Sequence, residues 1–280
     1  MDELLAPPPW SDAPPLFLLG SARSGTTLGY QILAQAFHVT FLPRAVNLAP
    51  GLTHTCFRMF SQRLREPPGN LQSNRGRTKG LLGPAEAIGF WTPWVDEQGP
   101  RVNALARDEI ALANAVHRLQ GHLRAPLLTK CLYLVHATDL LARAFPNARF
   151  IHLSRSPVPA IASLYTIRRG ISPAWWSVRP PGAERVSSLP LLDQCVWQHF
   201  AVEALVREAL AAIGPARSRI LVYEQLCSNP QAEMETICQW VTPAGWQARE
   251  DWQPPALSPS EQVEPELEQR IRTSPEFRHA

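Results

Sequence analysis

Apolar and polar positions alternate along this chain in blocks that predict strands followed by helices. Short, wholly apolar runs ended by glycine or polar residues are typical of buried strands, and apolar residues three or four apart are typical of helices. The predicted strands are 16–20, the beginning of 127–135, 149–153 and 219–223. Six helices are predicted. One begins at Thr26, one ends at Phe145 after the strand at 127–135, and one follows Pro157 as far as Tyr165. The other three span 103–123, 191–213 and 230–241.

This order of elements predicts an α/β fold, with a central, mainly parallel sheet and helices on both faces. The first strand, a glycine-rich turn and a helix form half of a βαβ unit, so we expect a three-layer fold of the P-loop type. The irregular segments divide the chain into a Pro-rich lead-in (1–15), one domain (16–245) and a Pro-rich, charged tail (246–280). Within the domain, 66–80 reads as a loop, and 80–94 and 170–190 as aromatic excursions.

Composition narrows the class of protein. The 280 residues are 45% hydrophobic, enough for a sizeable core, and the net charge is only +3. Lys and Arg do not cluster with interleaved aromatic residues, so a nucleic-acid partner is not expected. Five scattered cysteines without a C-x-x-C pair argue against a disulfide framework or zinc site, and favour a reducing compartment.

Targeting signals are also missing from the pattern. The N-terminal MDELLAPPPW is acidic and interrupted by proline, unlike a signal peptide. No apolar run approaches the ~20 residues of a membrane span. A cytoplasmic protein is therefore expected, and its oligomeric state stays open.

The stretch GSARSGTTL, 20–28, carries the first chemical signal. Its glycine spacing is that of a phosphate-binding loop, but Thr26 stands where that loop has lysine. Arg23, inside the loop, is the only nearby cation. Backbone N–H groups at a glycine-rich turn and a helix N-terminus favour an anion such as phosphate.

Two further cations and a tyrosine follow the other predicted strands. Ligands of a parallel sheet bind beyond the carboxyl ends of its strands. Lys130, Arg155 and Tyr223 each follow a strand, so we expect them at one edge together with the loop. Arg23 with the loop, and Arg155 with Ser163, form two clusters that suit two separate anionic groups. No carboxylate ends the stretch RFIHLSRS to hold magnesium, which argues against an NTPase and for metal-free chemistry.

These motifs together resemble a known family. GSARSGTTL, Thr-Lys at 129–130, NARFIHLSRSPVPAIASLY and LVYEQLCSNP resemble, in order, the motifs of 3′-phosphoadenosine 5′-phosphosulfate (PAPS)-dependent sulfotransferases. The likeness covers roughly 16–240 and is nearest to the branch of tyrosylprotein and bacterial enzymes. It implies PAPS as sulfonate donor, adenosine 3′,5′-bisphosphate (PAP) as product, and no metal.

The resemblance also implies roles for individual residues. Arg155 and Ser163 would hold the 3′-phosphate, Tyr223 would lie by the nucleotide, and Lys130 would lie near the transferred sulfonate. The residues implied to hold the 5′-phosphosulfate are those of the loop: Arg23, Ser24, Gly25, Thr26 and Thr27.

The general base does not follow from the resemblance. Leu132 stands where cytosolic members have histidine, and 41–50 lacks the glutamate of tyrosylprotein members. Two candidates remain open. Glu86, in GPAEAIGF, has apolar neighbours that would raise the pKa of its carboxyl, and His54, in LTHTCF, titrates near neutral pH.

The acceptor also stays open, between a small aromatic or natural-product alcohol or amine and a peptide tyrosine. Four tryptophans either line its pocket or belong to the core: Trp91, Trp94, Trp175 and Trp176. Two other functions compete with sulfonate transfer. One is a kinase or NTPase with a degenerate P-loop, and the other is a non-catalytic nucleotide-binding protein of the same fold.

Overall fold

The computed structural model describes residues 13–69, 71, 73–74, 77–78, 80–99, 106–170, 175–257 and 262–278. Most of the lead-in, the first residues of the helix predicted at 103, and parts of the loop at 66–80 and the excursion at 170–190 lie outside these residues. The described residues form six strands: β1 Leu16–Leu19, β2 Ser73–Asn74, β3 Arg77–Thr78, β4 Leu128–Lys130, β5 Arg149–Ser154 and β6 Ser218–Val222.

Helices connect and cover the strands. In chain order, the α-helices of the described residues are α1 Thr26–Ala36, α2 Ala45–Leu48, α3 Thr53–Arg65, α4 Ile88–Trp91, α5 Ala106–Leu123, α6 Thr138–Ala144, α7 Pro157–Gly170, α8 Leu191–Ile213, α9 Tyr223–Ser228, α10 Pro230–Val241, α11 Pro265–Thr273 and α12 Pro275–Arg278. A 3₁₀ turn, Leu132–Ala137, links β4 to α6.

Four strands form one parallel sheet in the order β4-β1-β5-β6, and β2 and β3 form a separate antiparallel pair. All four residues of β1 are buried, as the apolar run 16–19 requires. Phe17 stacks on Phe150 of β5 with ring centroids 5.3 Å apart. This parallel sheet, flanked by helices, confirms the fold predicted from the alternating pattern.

The strand order creates a crevice at the end of β1. The chain passes from β1 to β4 on one side of β1, and then to β5 on its other side. Connections that leave in opposite directions open a gap at the carboxyl end of the central strand, where α/β folds bind ligands. The loop 20–25 lies at this switch point, between β1 and α1.

Several features differ from the sequence pattern or add to it. The pair β2–β3 lies within the predicted loop 66–80, and α4 lies within the excursion 80–94. Tyr223 is the first residue of α9 and not the last of a strand. Helix α3 was not predicted, because it is polar along most of its length and buries only Thr53, Phe57 and Leu64. The tail contains ordered helices, and Ser274 Oγ donates to Asp193 Oδ1 of α8 at 2.6 Å.

The residues just after 245 pack into the domain. Trp246 is buried, lies edge-on to Phe37 with centroids 5.7 Å apart, and donates from Nε1 to the Pro14 carbonyl at 3.0 Å. The division of the chain at 245 stays a prediction. Among the described residues, no helix combines the length and apolar character needed to cross a membrane.

Candidate active site

The phosphate-type loop has an unusual backbone. Gly25 has φ of 87°, and Arg23, which has a side chain, has φ of 70°. The left-handed region is costly for residues with a Cβ, so Arg23 is held there by its surroundings. A Cβ on Gly25 would come within 2.2 Å of the Tyr223 ring, so only glycine fits beneath that ring. No side chain caps the N-terminus of α1, and the positive end of the helix dipole lies where the loop joins the helix.

The two predicted anion clusters form one network. Arg155 Nη1 donates to the Arg23 carbonyl at 2.7 Å, and its guanidinium lies 4.5 Å from the centroid of the Tyr223 ring. Arg23 Nε donates to Ser163 Oγ of α7 at 2.9 Å. Ser163 was predicted to act with Arg155, but here it contacts Arg23. Burial, followed by repulsion from Arg155, lowers the pKa of Arg23, as expected for neighbouring cations.

Lys130 links the loop to Glu86. Its Nζ forms an ion pair with Glu86 Oε1 and donates to Thr27 Oγ1 at 3.4 Å. The Lys130 side chain is 4% exposed and that of Glu86 is 26% exposed. Glu86 therefore lies beside a cation, and not in the purely apolar surroundings that its sequence neighbours suggested. The segment that carries it is held by a bridge between Pro43 and Pro84.

A cavity of about 800 Å³ opens at this edge of the sheet. Its residues fall into two groups. The first group belongs to the loop and the strand ends, with Tyr223 of α9: Arg23, Gly25, Thr26, Thr27, Lys130, Arg155 and Tyr223. The second group comes from other segments, contains more aromatic side chains, and includes Arg44, Glu86, Glu97, Tyr133, Trp175 and Trp176. Of the predicted site residues, Ser24, Ser163 and His54 do not line it: Ser24 is a buried residue of the loop, Ser163 supports Arg23, and His54 lies on α3.

His54 lies elsewhere. It is on α3, where its Nδ1 is 3.2 Å from Nε2 of His122 on α5, and it is not among the residues that line the cavity. Packing of α3 against α5 brings these two imidazoles together. Of the two candidate bases, the structure thus brings only Glu86 to Lys130 and the loop.

The tryptophans divide between core and cavity. Trp91 is buried, edge-on to Phe17 and Phe90, and Trp94 packs against the same core. Trp175 and Trp176 line the cavity. Trp175 is fixed by a hydrogen bond from its Nε1 to the Val178 carbonyl at 2.9 Å, with the Arg168 guanidinium 4.6 Å from its ring centroid.

Tyr133 was missed by the sequence reading. It lies in the 3₁₀ turn three residues after Lys130 and lines the cavity. Burial, and then the negative charges of Glu97 and Glu86, raise the pKa of Tyr133 to about 12. The apolar run LYLV concealed it, since that run reads as strand continuation. The sequence feature that could have revealed it is its position, three residues after a lysine that ends a strand.

Among the described residues, no group of three or more His, Cys, Asp or Glu could hold a metal ion. The expectation of metal-free chemistry stays a prediction. No curated protein matches the chain.

Solved structures show the same fold. Sulfotransferase STF9 from Mycobacterium avium is 18% identical with a TM-score of 0.53, over 94% of this chain and 67% of that one. Sulfotransferase STF1 from Mycobacterium tuberculosis H37Rv is 16% identical with a TM-score of 0.54, over 93% of this chain and 71% of that one. At these identities the likeness concerns the fold. The model of the family described as "Sulfotransferase family" matches residues 14–247, and the chain therefore belongs to the sulfotransferase family.

Proposed function

We propose that this sulfotransferase uses PAPS as its donor. It transfers the sulfonate to a hydroxyl or amine of an acceptor that binds in the cavity against its aromatic lining residues. The observation that carries the proposal is the pair of adjoining cationic groups at the end of β1. Arg23 with the loop, and Arg155 beside Tyr223, provide two sites for anions at one edge of the sheet. PAPS has two anionic ends of this kind.

The residues present fit such a donor. Arg155 Nε is buried and has no hydrogen-bond partner among the described residues, so it is a donor available to a phosphate. The N-terminus of α1, which no side chain caps, and the ammonium of Lys130 suit the 5′ end. The donor, when bound, supplies an activated sulfonate on a nucleotide leaving group.

Each side chain has a definite task in this proposal. Glu86 takes the proton from the acceptor hydroxyl or amine as general base, and Lys130 keeps its carboxylate next to the loop. Lys130 and Arg23 face the negative charge that grows as the sulfonate is transferred. Fixed cations aimed at developing charge are usually the largest single contribution to catalysis.

The acceptor proposed is a small aromatic or natural-product alcohol or amine. Its support is the aromatic part of the cavity lining, formed by Tyr133, Trp175 and Trp176. Aromatic side chains bind flat apolar surfaces well and keep a polar group free for hydrogen bonds. A peptide tyrosine is the competing acceptor, and parallel assays with a simple phenol and a tyrosine peptide separate the two.

Nucleotide binding tests the donor. Thermal unfolding is followed with PAP, with ATP and magnesium, and with 5′-AMP. At 100 times its dissociation constant, PAP is expected to stabilise the protein by about 2.7 kcal/mol, and the other nucleotides by far less. Stronger stabilisation by ATP and magnesium would contradict the proposal and favour a degenerate kinase or NTPase. PAP binding without turnover of any phenol would favour a non-catalytic nucleotide-binding protein.

A further inference from the structure

A buried polar cluster lies beneath the loop, and none of the steps above uses it. Its members come from three parts of the chain: Ser21 and Ser24 of the loop, His152 of β5, and His199 and Glu203 of α8. Each of the five residues is less than 9% exposed. Polar groups are costly to bury unless they bind one another, so this cluster requires an explanation.

The cluster contacts the loop through hydroxyl groups. Ser21 Oγ lies 3.1 Å from Nδ1 of His199 and forms a hydrogen bond with Ser24 Oγ. Ser24 N also donates to the Ser21 carbonyl at 3.3 Å. The two serines therefore bind each other on both sides of Arg23 and are attached to α8 through one imidazole.

A second buried pair interacts electrostatically with that imidazole. His152 Nε2 lies 2.9 Å from Glu203 Oε2. Glu203 and His199 are one turn apart on α8, so their side chains share a face of the helix. Burial tends to raise the pKa of Glu203, but His152, His199 and the Ser21 hydroxyl together hold it below its ordinary value. An ionised carboxylate is thus kept behind the loop by named partners.

The strained residue lies between the two serines. Arg23 has φ of 70°, a conformation that residues with a Cβ rarely adopt. Such strain persists only where the surroundings determine the backbone more strongly than the residue itself does, and it is common at functional sites. Contacts on both sides of Arg23 meet that requirement.

We infer that Ser21, Ser24 and His199 are positioning residues that hold Arg23 in its left-handed conformation, and that Glu203 and His152 fix His199. This inference rests on the proposed function, because it gives Arg23 its role at the transferred sulfonate. The cluster contacts the loop at Ser21 and Ser24, on the two sides of Arg23, and so acts on that residue. Removing a member of the cluster therefore lowers the rate of sulfonate transfer. When the Arg23 side chain is also removed, the same change has little further effect on that rate.

A double-mutant cycle tests this. Ser21→Ala, Arg23→Ala and the double variant are compared by kcat/KM for PAPS with a simple phenol as acceptor. We expect Ser21→Ala to lower kcat/KM about tenfold in the wild-type background, the usual scale of one hydrogen bond. In the Arg23→Ala background we expect less than a twofold effect, since residues that act through one another are not additive.

Matched variants separate positioning from stability. Thr40→Val removes a hydroxyl that donates to the Ala125 carbonyl at 2.9 Å, in a buried residue away from the loop. It should lower the melting temperature and leave kcat/KM unchanged. If Ser21→Ala does not fold, His199→Gln is taken through the same cycle.

The outcomes are distinct. Equal losses for Ser21→Ala in both backgrounds would overturn the inference, because the hydroxyl would then act independently of Arg23. Wild-type protein that neither binds PAP nor transfers sulfonate would overturn the proposed function and the inference together. Wild-type transfer with a loss confined to the Arg23-containing background supports both.

Discussion

Lys130 and Glu86 form an ion pair between the carboxyl end of β4 and the segment that precedes α4. Forty-four positions separate the two residues in the chain. Lys130 also contacts Thr27 of the loop, and both residues of the pair line the cavity. The ion pair therefore holds a carboxylate in the cavity wall, close to the loop.

Replacing Glu86 tests this location. Glu86→Gln keeps the shape of the side chain and removes the proton acceptor. We expect sulfonate transfer to fall by about 10²–10⁴, the usual contribution of general base catalysis. PAP affinity, measured by calorimetry, should change little, because Glu86 contacts Lys130 and not the loop backbone.

His54→Gln is the matched control for Glu86→Gln. His54 pairs with His122 away from the cavity lining, so its replacement should leave the transfer rate near that of the wild type. Loss of activity in His54→Gln together with normal rates in Glu86→Gln would give the role of base to the histidine.

Replacement of Arg155 should mainly weaken nucleotide binding, and replacement of Arg23 should mainly slow sulfonate transfer. Arg155→Ala removes hydrogen bonds to a charged group, each worth roughly 1.5–3 kcal/mol, so PAP should bind about 10–100 times more weakly. Arg23→Ala should lower kcat more than PAP affinity, because Arg23 faces charge that develops only during transfer. Calorimetry and steady-state kinetics on both variants provide the comparison, and equal effects on binding and turnover for Arg23→Ala would remove its catalytic role.

Gly25 should tolerate no side chain. Gly25→Ala would place a Cβ 2.2 Å from the Tyr223 ring at φ of 87°, so the ring or the loop must move. We expect the loss of most PAP binding. Gly51→Ala is the control, since a Cβ there meets nothing within 4 Å and its φ is not positive. Wild-type PAP affinity in Gly25→Ala would show that the tight contact with Tyr223 is not required.

Acid should destabilise the protein partly through His199. Burial lowers the pKa of His199 from 6.5 to about 4, an effect opposed by Glu203 and assisted by His152 and Arg155. Between these two values the unfolded chain binds a proton that the folded protein does not, so the free energy of unfolding falls as the pH falls from 6.5 towards 4. The full effect is on the order of 3 kcal/mol.

Urea unfolding of wild type and His199→Gln at several pH values measures this effect. Below about pH 4.5, the lowered pKa of Glu203 adds to the acid sensitivity in the same direction. The variant should show a shallower decline between pH 6.5 and 4. Parallel curves for the two proteins would mean that other histidines with lowered pKa values, such as His117 and His136, account for the decline.

The sequence by itself determined which elements bring their ends to the carboxyl end of the sheet. Apolar runs predict β1, β4, β5 and β6. The run of β1 is apolar throughout because that strand is buried along its whole length, whereas β6, at the edge of the sheet, is predicted by its β-branched and apolar residues although Arg219 and Ile220 are exposed. The glycines of 20–25 predict a tight loop before α1. The rule that parallel strands present their carboxyl ends together then brings Arg23, Lys130 and Arg155 to one edge, without knowledge of any side-chain contact.

Only the tertiary structure decided which side chains meet. Ser163 contacts Arg23 from a helix 140 positions later, and His199 contacts Ser21 from 178 positions later. Local periodicity reports whether a residue faces the core, but it carries no information on which distant residue lies opposite. Glu86 and His54 both stood as candidate bases for that reason. The packing of α3 on α5 and the bridge at Pro84 determine where each of them lies, and only Glu86 lines the cavity beside Lys130.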